Sequence, residues 1–468
     1  MKEKLLEENL NKSFYRKDID GLRGISVASV ILYHISKSIL PGGFVGVDIF
    51  FVISGYLVTK IITKQLDEDN FSFTDFYGRR LKRIFPACVV CVFLTLLYSY
   101  FIMWNPKELV SISQSSIASI FSLANYYNLF YISSGYFSPD TSRYPLLHLW
   151  SLSVEEQFYF VFPIMIFLLY KYMKRATSTI ILICILISLI LAESIYKLNP
   201  SLSYYTLYCR MGEILIGSFL NFLAPLENYY YNEIISMVGL VLTTGSIYFF
   251  NEKIVFPGFN SIFPCFGASF LIFSGVKQNT IVKKILSFNL FVNLGLVSYS
   301  AYLYHWPIIA LSKVMEMTYS YFNIFNSLLL GFVCTLLSYY FIETPFRNSR
   351  MNKTRSFIII YVIPSLFVII LSLFVYQSSI KNVDIKLTAI QTNQSIEQNG
   401  FNDFMPPSYF NISQFLWSEE DVSFSFLFFF IFIFSFSLLE CRCAQKKIYR
   451  YVFLLMNGIT RFTMILIN

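Results

Sequence analysis

The sequence predicts an all-α polytopic membrane protein with about eleven transmembrane helices. Three observations predict it. The 468-residue chain is 56% hydrophobic and only 14% charged, with a mean hydropathy of +0.57, whereas a soluble domain carries about 25% charged residues. Many apolar runs reach the ~17–20 residues that a helix needs to cross a bilayer. The basic residues gather at the ends of those runs, so the net charge of +8 points to membrane orientation and away from nucleic acid.

The elements follow in order. Residues 1–21 open with the charged stretch MKEKLLEENLNKSFYRKD, which has no apolar signal-peptide core, and are expected in the cytoplasm. Spans are expected at 22–40, 44–63, 84–104, 157–173, 178–193, 204–223, 234–250, 260–275, 288–313, 325–343 and 356–378. The stretch 112–131, ISQSSIASIFSLANYYNLFY, is long enough to cross but rich in Ser, Asn and Tyr. Basic loops arbitrate: RRLKR at 79–83, KYMKR at 171–175, KQNTIVKK at 277–284 and RNSRMNKTR at 347–355. All four share the cytoplasmic side with the N-terminus only if 112–131 does not span. It is therefore expected to be interfacial or re-entrant.

Residues 379–415 are polar and read as an extracytoplasmic linker. The tail, 416–468, is biased in composition (FSFLFFFIFIFSF); it reads as an extra span or as a truncated or frameshifted end. The eight cysteines form no disulfide framework. Cys88 and Cys91 make a CxxC that enters an apolar run with no further ligands nearby, so no metal is expected.

The chain has only three histidines, His34, His148 and His305, each inside a polar cluster of an apolar segment. Ionisable residues in membrane-buried sequence cost several kcal/mol unless paired, which makes them functional candidates, and histidine suits proton movement. In DGLRGISVASVILYH, Arg23 and His34 lie about 20° apart around a helix but roughly 16 Å apart along it, so one long substrate would touch both. Asp48, in GGFVGVDIFFVISGYL, is expected near His34 as its orienting acid, while Ser54, Gly55 and Tyr56 are read equally well as helix packing. In FYGRRLKRIFP, Arg80 and Arg83 share a helical face, and arginine forks suit phosphates; from charge alone a positive-inside anchor explains them better. His148, Trp150, Glu155 and Glu156, in PLLHLWSLSVEEQF, are expected on the outer face, with aromatics placed to stack on a sugar. Tyr304 and His305, in VSYSAYLYHWPI, are further acceptor-side candidates, since an aromatic belt explains Tyr and Trp but not the histidine. Glu343, in YYFIETPFR, is expected to pair with Arg347 or another arginine. No GxSxG, Walker loop, HExxH or dinucleotide fingerprint stands where it would carry meaning.

Together DGLRGISVASVILYH, GGFVGVDIFFVISGYLVTKII, FYGRRLKRIFPA, PLLHLWSLSVEEQFYFVFP, YSAYLYHWP and FIETPFR resemble, in order, the acyltransferase 3 family of integral membrane acyltransferases. The resemblance covers 16 to about 350 and implies a membrane-embedded acyltransferase domain at 22–350, followed by an extra span at 356–378. It implies transfer of an acyl group, usually acetyl, from cytoplasmic acyl-CoA to a cell-surface carbohydrate. The chain is then a multi-pass protein of the cell membrane, with acyl-CoA as substrate and no bound cofactor. The family's Arg–x10–His pattern falls on Arg23 and His34, its RxxR donor element on Arg80 and Arg83, and its ExP acid on Glu343. The resemblance turns the arginine cluster toward function.

The chain also resembles a subgroup in which an SGNH hydrolase-like domain follows the membrane part. It carries neither that domain's GDS-type motif nor a DxxH, and no histidine follows His305. The expectation is a chain that uses a separate SGNH-type partner, acts directly on its acceptor, or is an inactive truncated product. A transporter or flippase without chemistry is the rival class, since it too would use intramembrane charges.

Overall fold

A computed structural model of the chain describes residues 15–103, 105–132, 136–137, 143–314 and 321–392, without the side chains of 321–324 and 382–392. The described part is all-helical. The helices used below are α1 (Lys17–Ile35), α2 (Gly46–Asp67), α3 (Phe73–Ile102), α4 (Pro106–Ile120), α5 (Ala124–Tyr131), α6 (Leu149–Met173), α7 (Thr177–Tyr196), α8 (Leu207–Phe219), α9 (Tyr229–Phe249), α10 (Ile262–Ser274), α11 (Asn289–Leu296), α12 (Ser298–Val314), α13 (Tyr321–Ser338) and α14 (Ile363–Thr392). The chain divides into a large unit, up to 73 and 78–389, and a second of Thr74–Tyr77 and 390 onward. The expected tail, 416–468, most of the linker and residues 1–14 lie outside the described residues.

Among the described residues, six helical stretches are long and apolar enough to cross a membrane. One, Leu149–Tyr196, is 48 residues long and takes in α6, a one-turn break at Lys174–Ala176, and α7. The ranges read as spans all hold helix, but not all reach that standard. Helices α8 and α10 have 13 residues each, and the range 288–313 breaks at Val297 between α11 and α12. Leu182, Ile183, Leu186, Ile187 and Ile190 of α7 are all exposed, as expected of a helix facing hydrocarbon and not water. The protein is a multi-pass membrane protein.

The stretch 112–131 is not one helix. It breaks between α4 and α5, where Ser122 turns left-handed at φ 55° and Leu123 N–H closes back on the Ala118 carbonyl at 2.8 Å, a helix-terminating geometry. Two of its serines are satisfied without water. Ser116 and Ser119 donate to the carbonyls of Ile112 and Ser115, each at 2.7 Å, which satisfies the hydroxyls inside their own helix. The end of the last helix also departs from expectation: α14 runs on to Thr392 instead of giving way to a linker at 379.

Close helix contacts are made through small residues, as expected where lipid supplies no hydrophobic drive between helices. A Cβ on Gly295 of α11 would collide with the Asp20 carbonyl of α1, and one on Gly217 of α8 with the Val52 carbonyl of α2. An apolar core joins α3, α4, α12 and α14 around Cys91, Leu96, Ile112, Leu303 and Val375. At one end of the bundle Lys82 donates to the carbonyls of Ser349 and Met351, each at 3.1 Å, so two of the basic loops meet.

Candidate active site

Helix α1 carries Arg23 and His34 to two different places, as its geometry requires. Arg23 lines a pocket with Arg80 and Arg83 of α3, Ser54 of α2, Glu155 of α6 and Tyr302 of α12; the pocket holds about 810 Å³ of free space, open solvent included. Arg23 lies 3.6 Å from Asp20 on its own helix. Ser54 and Tyr159 both donate to Oε1 of Glu155, and the Arg80 guanidinium stacks 4.4 Å from the Tyr159 ring centroid. Three guanidinium groups share the pocket lining with one carboxylate, a cation excess that suits phosphate. Glu343 lies 3.6 Å from Arg347 and accepts from Ser300 at 3.0 Å. It sits in a single π-helical turn, Tyr339–Glu343, a feature that often marks functional helices.

At the other end of α1, His34 meets His305 across 271 residues: His34 Nδ1 and His305 Nε2 are 3.1 Å apart. The partners determine the tautomers. Nδ1 of His305 lies 2.6 Å from the Tyr302 carbonyl, which only accepts, so in the neutral ring Nδ1 carries the proton and Nε2 offers its lone pair. Nδ1 of His34 must then donate to His305, leaving the lone pair on His34 Nε2. The Tyr136 hydroxyl stands 3.2 Å from that nitrogen. Trp306 covers the His34 ring at 4.7 Å between centroids, and its Nε1 donates to the Tyr144 carbonyl at 2.9 Å. His148 is third in the group. Its ring centroid is 5.6 Å from that of His305, and its Nε2 donates to the Leu303 carbonyl at 3.0 Å. Tyr302 bridges the two places: its ring side lines the arginine pocket and its backbone oxygen holds His305.

Several sequence expectations need correcting. Asp48 is not the neighbour of His34; the group 3.1 Å from His34 Nδ1 is His305 Nε2. The Asp48 carboxylate instead accepts from Arg210 at 3.0 Å, and Glu213 does so at 2.9 Å, with the arginine only 1% exposed. Trp150 is no outward platform. It is fully buried and lies beneath the Arg210 guanidinium at 5.2 Å, and Tyr204 lies against the same cation at 4.5 Å. Tyr304 belongs to the apolar core beside Cys88 and Cys91 and not to an acceptor surface. Glu155 joins the arginine pocket, and Glu156 is half-buried, with its Oε1 covered and unpartnered among the described residues.

Sequence reasoning missed Arg210, Glu213, Tyr136 and Tyr302. For the first two a signal was present: opposite charges three residues apart inside the apolar run YCRMGEILIG, which the cost of intramembrane charge makes conspicuous. The two tyrosines gave no signal, because aromatic residues are common throughout this chain.

Helix α1 thus joins a cationic pocket to a half-buried histidine whose two ring nitrogens face His305 and Tyr136, in a protein of membrane-crossing helices. The chain belongs to the acyltransferase 3 family, whose acyltransferase domain matches residues 16–343; this separates it from the transporters. It is 32% identical to the O-acetyltransferase OatA of Staphylococcus aureus strain MRSA252, over 77% of this chain and 64% of the relative. It is 34% identical to the peptidoglycan O-acetyltransferase OatA of Listeria monocytogenes, over 73% of this chain and 58% of the relative. The chain thus spans less than two thirds of the length of these curated relatives. No solved structure matches it.

Proposed function

We propose that this chain is an O-acyltransferase of the cell membrane. It takes an acyl group, acetyl first among the options, from acyl-CoA on the cytoplasmic side and passes it to a hydroxyl of a cell-surface glycan. Peptidoglycan is the acceptor that the name of the Listeria relative specifies. The observation that carries the reading is the path through Tyr302, which links three arginines at one end to the His34–His305 pair at the other. The N-terminus is proposed to be cytoplasmic, supported by the meeting of basic loops 79–83 and 347–355.

The chemistry follows from the chain's own groups. Arg23, Arg80 and Arg83 hold the donor's phosphates, and its long arm runs along α1 toward His34. His34 Nε2 takes the proton of the acceptor hydroxyl as that oxygen attacks the thioester carbonyl. The resulting tetrahedral oxyanion collapses, the carbon–sulfur bond breaks, and the departing thiolate takes the proton back from His34. His305 keeps the His34 ring in the tautomer that exposes Nε2, the part that an acid plays in other base–orienter pairs. Glu343, with Arg347, balances charge beside the donor arginines. With a separate SGNH-type protein as partner, the attacking hydroxyl is that protein's own, and the onward transfer to the glycan is its step.

The test is transfer of label from acetyl-CoA to surface glycan in cells that make the wild-type chain or His34→Ala at equal membrane levels. Label is expected only with the wild type. Transfer by His34→Ala at the wild-type rate would remove the mechanism.

A further inference from the structure

His148 has no part in the mechanism above, yet it is the third histidine of the group. Its use follows from a proline on another helix. Pro307 lies two residues after His305 in α12, and the helix continues past it to Val314. Proline has no backbone N–H, so the carbonyl four residues earlier, that of Leu303, loses its helical donor. Leu303 is fully buried. Inside a membrane water does not replace a missing backbone bond, so freed groups are satisfied by neighbouring helices.

Two donors from other parts of the chain meet the Leu303 carbonyl: His148 Nε2 at 3.0 Å and Cys91 Sγ of α3 at 3.2 Å. A thiol is a weak donor, so the imidazole supplies most of the contact. The carbonyl only accepts, which places the proton of the neutral His148 ring on Nε2. Nδ1 of that ring is buried with no hydrogen-bond partner among the described residues. The His148 main chain makes a second bond to the same turn of α12: its carbonyl accepts from the Tyr302 hydroxyl at 2.9 Å. Ser151 Oγ, in the first turn of α6, lies 2.6 Å from that hydroxyl. His148 therefore grips Tyr302 by its backbone and Leu303 by its ring. From there the chain of contacts runs to the base. The Tyr302 carbonyl holds Nδ1 of His305 at 2.6 Å, and Nε2 of His305 meets Nδ1 of His34 at 3.1 Å.

We propose that His148 is a positioning residue: its ring replaces the backbone donor that Pro307 removes, and so holds the turn of α12 that aims His305 at His34. Its effect is exerted through His305 and not on the substrate. The inference deepens the acyltransferase reading and rests on it for the effect on rate, while the effect on the two histidine rings is independent of it.

The experiment uses the purified full chain, as wild type, His148→Phe and His148→Gln at matched folded content. Phenylalanine keeps a ring but offers no donor; glutamine keeps an N–H where His148 Nε2 stands. The chain has only three histidines, so nitrogen-15 labelling of histidine reports each ring by nuclear magnetic resonance. The wild type is expected to show single tautomers, with the proton on Nδ1 of His34 and His305 and on Nε2 of His148. In His148→Phe the signals of His34 and His305 are expected to split into mixed tautomers, and in His148→Gln to stay single. Steady-state acetyl transfer is expected to follow: kcat falls about tenfold in His148→Phe, the effect of one neutral hydrogen bond, with the KM for acetyl-CoA within twofold, and His148→Gln recovers most of the loss. Unchanged His34 and His305 signals in His148→Phe would overturn the proposal whatever the rate. Loss of transfer in His148→Gln as complete as in His34→Ala would also overturn it, by making His148 a participant in the chemistry. Mixed tautomers in His148→Phe but not in His148→Gln, with a wild type that transfers no acetyl group, would uphold the positioning and overturn the acyltransferase reading instead.

Discussion

Replacing His305 with Phe tests the proposed division of labour between the two histidines. Phenylalanine keeps an aromatic ring against the His34 and Trp306 side but offers no lone pair. Nδ1–H of His34 would lose its acceptor at 3.1 Å in a site where His305 itself is only 6% exposed. A buried donor left unsatisfied costs about 1–3 kcal/mol. The ring escapes that cost by turning or by moving its proton to Nε2, and either change takes the lone pair from the acceptor. If the cost falls on the reactive arrangement, kcat drops about 5- to 150-fold. The KM for acetyl-CoA should stay level, because the arginine pocket is untouched. His305→Gln restores an acceptor oxygen and should recover part of the loss, which a purely packing role would not explain. The assay is steady-state acetyl transfer by detergent-purified protein at matched folded content. A His305→Phe enzyme within twofold of wild type, while His34→Ala is inactive, would refute the pairing as the source of orientation.

Two more outcomes are expected. Arg210→Met leaves Asp48 and Glu213 buried without their counter-charge and should cost about 3–5 kcal/mol, seen as a lower melting temperature in detergent; the triple variant Asp48→Asn, Arg210→Met, Glu213→Gln should regain most of it, and a wild-type melt for Arg210→Met alone would contradict the ion cluster. Arg80→Lys with Arg83→Lys should raise the KM for acetyl-CoA about tenfold, since a point charge replaces a fork that grips two oxygens, with the acceptor KM unchanged; an unaltered donor KM would count against the arginine pocket.

Much of this was legible in the residues. Composition alone implied a helical membrane protein, because only closed backbone hydrogen bonding survives in hydrocarbon. The eleven-residue spacing of Arg23 and His34 implied one face and a distance too great for contact, and α1 carries Arg23 to the arginine pocket and His34 to His305. The three-residue spacing of Arg80 and Arg83 implied a shared face, and both line one pocket. The Ser- and Asn-rich stretch after residue 111 read as something other than a simple span, and it breaks at Ser122.

Asp48 shows where such reading stops. Near in sequence to the turn after His34, it was the natural orienter, yet it bonds Arg210, 162 residues away. The side chain that does meet His34, His305, comes from 271 residues away. Spacing along a helix determines which side chains share a face, since rise and rotation per residue are constants of the backbone. It carries no information about which face another helix will meet. That choice was made by packing: by glycines such as Gly217 and Gly295, where a Cβ would meet a neighbouring carbonyl, and by the need of every intramembrane charge to find a partner. The helical class, the shared face of Arg80 and Arg83 and the spacing of Arg23 and His34 are properties of the residue order. The partner of His34, His305, and the buried ion cluster of Asp48, Arg210 and Glu213 exist only once the helices are assembled.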